Sequence, residues 1–180
     1  MIAARRTKRI AESRAVVCAA YAAWLFADAA FAQEAAGTLT VNGKTAPLKF
    51  AVAQEVDSAT EKGYMDVVVA LSDRKLSLAD ARSVERLEAL ARKDGLVALL
   101  VRLNPDAKVM SAAPLHPAFT TFVSSAAFIR WNPSAYDEKR VAGRFWTDGT
   151  QNAFQQEWSY DLTFSAPIAL DPDAKTVPKK

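Results

Sequence analysis

The chain has 180 residues, of which 51% are hydrophobic, with 23 Lys and Arg against 20 Asp and Glu, a single histidine and a single cysteine. One histidine excludes a metal centre built from several imidazoles, and one cysteine excludes an intrachain disulfide and a thiolate-rich metal site. The basic surplus points at first to a phosphate-bearing partner, but its distribution along the chain removes that reading.

The first 32 residues read as an export signal. Arg5, Arg6, Lys8, Arg9 and Arg14 form a cationic lead, Ala15 to Ala27 form an apolar run, and Ala30-Phe31-Ala32 puts small residues at the two positions a signal peptidase reads. Gln33 is then the first mature residue. The apolar run stops at Asp28 after 13 residues, short of the ~20 needed to cross a bilayer, which favours cleavage over a retained anchor. Arg5-Arg6 is followed by Thr7, Lys8 and Arg9 instead of an apolar residue, against a twin-arginine signal. Cys18 sits inside the apolar run behind Val17, against a lipoprotein cysteine. Without the leader, 18 basic and 18 acidic residues remain. The expectation is a neutral, thiol-free domain in the periplasm or outside the cell, with no nucleic-acid binding and no stable membrane insertion after cleavage.

Gln33 to Lys180 is 148 residues, the size of one domain. Residues 33–37 read as a flexible start, 38–168 as a single β-rich domain, and 169–180, ending "DPDAKTVPKK", as a loosely ordered tail. No period of 20 to 50 residues marks a repeat architecture.

The dominant period is two, the mark of half-buried strands. Leu39 and Val41 precede Asn42-Gly43, the dipeptide that most readily takes positive φ in a tight turn, and Leu48, Phe50 and Val52 follow on one parity. That pattern predicts a hairpin, with Pro47 at an edge or strand start. Met65 to Leu71 and residues 96–103, "LVALLVRL", are almost continuously apolar and read as central strands covered on both faces. Asn104-Pro105-Asp106 supplies turn chemistry, with "KVMSAAPLH" returning beside its predecessor. "AAFIRW" and "RVAGRFW" flank the polar segment 132–139 as an antiparallel pair, and Asp148-Gly149 ends the second arm. Trp158, Tyr160, Leu162 and Phe164 then alternate with Ser159, Asp161 and Thr163 in the cleanest strand of the chain.

One segment has the helical period instead. Ser77 precedes Leu78-Ala79-Asp80 as an N-cap, Ala81, Val84, Leu87 and Leu90/Ala91 form a stripe, and Gly95 suits a left-handed C-cap. One helix of about 15 residues over 78–93 is predicted, plugging an open end or covering a sheet face. About six to nine antiparallel strands with a single helix define a mainly β fold, a sandwich or a partly closed barrel. The continuously apolar strands favour the antiparallel β-sandwich.

Leu39 to Lys44, Asp66 to Leu76, Val141 to Thr147 and Tyr160 to Ile168 resemble, taken together, a group of exported bacterial domains. That group shares a TVNGK start, a mid-chain LLSDKPL-like strand and turn, and a closing strand of the form F.A.F..PI. It has no assigned activity. The resemblance implies a recurrent exported β-rich domain and carries over no catalytic or binding residue.

Chemistry-bearing motifs are sparse. His116 lies between Pro114 and Pro117, and Ser124 and Ser125 have none of the glycines of a nucleophile elbow, so a Ser-His-Asp arrangement has little support. Asp66, Glu157 and Asp161 are candidates for a carboxylate pair, which the fold alone could assemble. "TDGTQN" and "DPDAK" do not follow the calcium-loop pattern, and no phosphate-binding glycine fingerprint occurs. No cofactor or metal is therefore expected. The most suggestive feature is the mixture of arginine and aromatic residues at Arg130, Tyr136, Arg144 and Trp146. An exposed Trp beside an Arg stacks on planar or sugar-like groups or anchors an interface; its structural alternative is Arg covering the indole on an ordinary sheet surface. Two functional classes remain. The favoured one is an exported non-enzymatic domain that binds a protein or envelope component through a sheet face or edge. The other is a small-ligand binder or hydrolase with its site at the mouth of the fold, near 132–139 and His116.

Overall fold

The computed structural model describes residues 34–170; the predicted leader, its predicted cleavage point and residues 171–180 of the predicted tail lie outside the described residues. The described chain runs β1 (Glu34–Val41), β2 (Lys44–Pro47), β3 (Phe50–Asp57), β4 (Met65–Ser72), α1 (Leu78–Ala81), α2 (Val84–Asp94), β5 (Ala98–Leu103), β6 (Val109–Leu115), β7 (Arg130–Tyr136), β8 (Arg140–Trp146), β9 (Gln151–Ala153) and β10 (Gln156–Ala169). All strands belong to one sheet, ordered β6-β5-β4-β3-β1-β10-β8-β7, with β2 added to β1 and β9 to β10.

Neighbours on this path are antiparallel, as the turn chemistry predicts. The end of β10 also pairs in parallel with β3, Ile168 against Ala53, so the sheet curls on itself into a half-barrel. The two-sheet sandwich favoured by the sequence is corrected here. At 14 residues, β10 reaches β8, β9, β1 and β3 in turn, and no break is left at which a second sheet could start.

The inner face follows from alternation. Trp158, Tyr160, Leu162, Phe164, Ala166 and Ile168 of β10 join Leu39 and Val41 of β1, Val67, Val69 and Leu71 of β4, and Leu99, Val101 and Leu103 of β5 in one core. The coil between β6 and β7 fills the concavity, contributing Phe119, Val123 and Ile129. Trp158 meets Phe119 and Phe128 edge-on, with ring centroids 5.9 and 5.5 Å apart, contacts worth about 1 kcal/mol each beyond their buried area. Gln156 ties this coil down. Its carbonyl oxygen accepts from the Thr120 amide (2.6 Å), the Thr120 hydroxyl and the Thr121 amide, and its own amide donates to the Thr121 carbonyl (2.9 Å).

Among the described residues, the outer face is covered over only part of its width. Leu87 and Ala91 of α2 pack with Leu96, Ala98 and Leu115, and Ala81 of α1 packs with Val52 and Ala70, so β3, β4 and β5 are buried on both faces. The single predicted helix is two. The Ser83 hydroxyl accepts from the Arg86 amide, and Ser83 itself is extended (φ −121°, ψ 117°), so it starts a new helix and ends the old one. Ser77 and Gly95 cap as predicted, Gly95 with φ 67°.

Two boundaries also move. Residues 34–37, read as flexible, belong to β1, with Glu34 opposite Ser165. The arm after Asn42-Gly43 divides at Leu48-Lys49, where the chain leaves β1 to pair with β4: the Leu48 amide donates to Gly37 and the Lys49 amide to Ser72. Leu48 therefore enters the inner core while Val52, on the same parity, lies under α1.

Candidate functional site

Among the described residues, the part of the outer face that no helix covers spans β7, β8, β10, β1 and β2. Register places Arg130, Trp146, Asp161, Thr38 and Pro47 side by side across it. The next row is Asn132, Arg144, Thr163 and Ala36. The structure thus brings together three of the four predicted surface residues, Arg130, Arg144 and Trp146, and adds Asp161 at their centre.

Arg144 and Asp161 form a two-point fork, Nε to Oδ1 at 2.7 Å and Nη2 to Oδ2 at 2.6 Å. This is the diagonal cross-strand position at which long side chains meet. The hydrogen bond and charge of Arg144 hold the Asp161 carboxyl below its ordinary pKa. The guanidinium lies over the Trp146 ring at 5.0 Å from its centroid. Trp146 is accordingly half-buried. Arg130 is held by Asp148, Nε to Oδ2 at 2.7 Å. Both arginines keep about half of their side-chain surface exposed, 52% for Arg130 and 49% for Arg144, so these pairs set orientation more than stability.

Beside Asp161 the face is dented. β8 leaves β10 at Trp146 opposite Asp161, and β9 rejoins it at Gln151 opposite Trp158. Between those pairs the four residues Thr147–Thr150 face only Ser159 and Tyr160, so the strand must bulge. The turn is fixed by the Thr147 hydroxyl donating to the Gly149 carbonyl at 2.7 Å and by Gly149 at φ 68°. The result is an open concavity of about 260 Å³ lined by Thr38, Thr150, Ser159 and Asp161 with the turn.

Tyr136 is not part of this surface, which corrects its predicted place. By simple alternation it shares a face with Arg130. The β7–β8 register shifts between Pro133 and Ala135, and the extra residue inverts the parity, turning Tyr136 inward opposite Val141. Its hydroxyl donates to the Asn104 carbonyl at 2.7 Å and so links β7 to the β5–β6 turn, two opposite margins of the sheet. Burial, with Asp66, Glu55 and Asp106 nearby, pushes its pKa up to about 12.

The parts of the predicted mouth site do not meet. Residues 132–136, read as loop, are strand, and Tyr136 lies at the β5–β6 turn, whereas His116 follows the far end of β6. The imidazole is 4% exposed, with Nδ1 accepting from the Ala118 amide at 3.0 Å. Ser125 is likewise engaged in a local turn, accepting from the Ala127 amide. The three carboxylates are also apart. Asp66 is buried on β4 and paired with Arg102 at 2.6 Å, while Glu157 and Asp161 are four positions apart on β10, about 13 Å at the rise of a strand. Glycosidase-type pairs need about 5 to 9.5 Å. Among the described residues no group of three or more His, Cys, Asp or Glu side chains could hold a metal ion.

The hydroxyl residues of the dent were missed by the sequence reading. Their signal was present: Ser159 and Asp161 occupy the parity opposite Trp158 and Tyr160. What was absent was the bulge at 147–150, which depends on where β8 and β9 rejoin a common partner.

Fold and surface together define a mainly β protein on a curled antiparallel sheet, with an uncovered polar face carrying an arginine–aspartate–tryptophan group. No known family model matches the chain, and neither a curated protein nor a solved structure shows significant similarity to it. Among the described residues no helix is long and apolar enough to cross a membrane.

Proposed function

We propose that the protein is an exported, non-enzymatic binding domain, processed after Ala32, that attaches to an envelope component through the outer face around Trp146, Arg144 and Asp161. The observation that carries this reading is the fork: two N–H···O bonds hold an acid and a base against an indole on the part of the sheet that no helix among the described residues covers. Such a group contributes little to stability while exposed, and an ordered, partly desolvated Trp and Arg are what contact surfaces use. The leader supports export, and the equal numbers of acidic and basic residues after position 32 support a partner other than nucleic acid.

The test is a cross-linking pull-down from the native envelope with fractionation of the same sample. The processed chain is expected in the periplasmic or extracellular fraction, cross-linked to a discrete partner, and Trp146→Ala is expected to lose the partner while the domain stays folded. An unprocessed chain in the membrane fraction, or a Trp146→Ala variant that keeps every partner, overturns the reading.

A further inference from the structure

The dent beside the fork narrows the chemistry of what this face can hold. Its lining side chains are those of Thr38, Thr147, Thr150, Ser159 and Tyr160 and one carboxylate, Asp161. Charge is balanced locally, Asp161 by Arg144 and Asp148 by Arg130, so neither a phosphate nor a polycation meets an unpaired counter-charge. Donor and acceptor capacity remains. Arg144 uses Nε and Nη2 on Asp161, leaving Nη1 as a donor, and each carboxylate oxygen keeps an unused lone pair. Trp146 stands directly opposite Asp161 in the register, and with the Arg144 guanidinium over its ring it is the remaining exposed part of the indole that borders the concavity. The volume, about 260 Å³, lies just under the roughly 300–1,000 Å³ of pockets for drug-sized ligands. It suits one ring, with the open sides leaving room for a chain to continue.

We infer that this concavity is a subsite for one ring of a neutral oligosaccharide, with Asp161 accepting from its hydroxyls and with Arg144 and Trp146, which border Asp161 outside the concavity, meeting the neighbouring ring. The inference rests on the outer-face reading above and names its ligand class. Thr38, Ser159 and Thr150 supply the remaining hydrogen-bond partners, and shallow, solvated contacts of this kind give weak, fast-exchanging binding.

The test is titration of the purified protein with cellotetraose, maltotetraose, xylotetraose and chitotetraose, followed by tryptophan fluorescence and calorimetry, with inorganic phosphate as the anionic control. Saturable binding of at least one tetrasaccharide is expected, with no response to phosphate. Asp161→Asn, which keeps the shape but unbalances the fork, is expected to weaken binding about tenfold, and Thr38→Val about threefold. Thr38→Val supplies the answer should Asp161→Asn prove unstable. Absence of saturation by every tetrasaccharide at 10 mM (about −2.7 kcal/mol or weaker), with the Trp146-dependent envelope cross-link retained, overturns the saccharide inference and leaves the outer-face reading standing. Loss of both overturns both. Binding that Asp161→Asn and Thr38→Val leave unchanged places the sugar elsewhere and also overturns the inference.

Discussion

The two halves of the sheet are built on the same principle and finished differently. In β4 seven of eight positions are buried, because α1 and α2 lie on the outside and the core lies on the inside. In β10 every second position is buried and those between are open or half-open, because only the inside is covered. The first half is fixed by burial on two faces, so nearly any change there is felt. The second is fixed on one face and leaves Ser159, Asp161 and Thr163 available for contact at little structural cost. A face on which polar side chains can change freely is where a binding function can reside without competing with stability.

The comparison is broken most directly by placing the same carboxylate on the outer face of each half. Ala70→Asp, at a position with 0% exposure beneath α1, is expected to lose at least ~3 kcal/mol or to unfold the domain, whereas Thr163→Asp is expected to stay within about 0.5 kcal/mol in urea denaturation. Equal losses would show that the open half is covered in solution.

The open half depends instead on the coil packed inside it. Gln156→Ala leaves the Thr120 and Thr121 amides without their acceptor, and a loss of about 2 kcal/mol is expected, together with faster hydrogen exchange at those two amides. On the helical side, Ser83→Ala removes the cap that starts α2 and is expected to lower stability by about 1 kcal/mol, read as a shift in the urea midpoint with unchanged slope.

His116 adds a pH-dependent effect. Burial, with Lys44 nearby, lowers its folded pKa against an opposing pull from Asp73. The unfolded chain therefore binds the proton more readily, and stability is lost as pH falls below the ordinary imidazole value of about 6.5. Melting temperatures between pH 8 and 5 should decline for the parent protein and less steeply for His116→Asn, which keeps an acceptor near the Ala118 amide. The smallest effect belongs to the fork. Asp161→Asn is expected to change stability by less than about 0.5 kcal/mol, the range of exposed ion pairs, and a loss above 2 kcal/mol would make the pair structural.

These contrasts also explain what could be read from the residues alone. Alternation placed Trp158 and Tyr160 in the core and Arg144 with Trp146 on the other face, because a strand's period of two is local. The helical stripe of Leu87 and Ala91 was legible for the same reason. Tyr136, the dent at 147–150 and the break at Leu48-Lys49 were not, because each depends on one residue more or fewer between pairings with a distant strand. Ser83 was hidden by a stripe that continues through it at the right spacing. Gln156 could have been noticed: it shares the parity of Trp158 and Tyr160, and a carboxamide on a buried parity must find partners inside.

The seating of β1 against β10 has a consequence for how the molecule comes into being. The Glu157 amide donates to the Asn42 side chain across 115 positions of sequence, and the first strand in chain order pairs with the last one, side by side in the middle of the sheet. Such long-range closure slows folding. A chain cut before residue 156 would lack the strand that joins β8, β9, β1 and β3, so the half-barrel can close only when the last strand has been made.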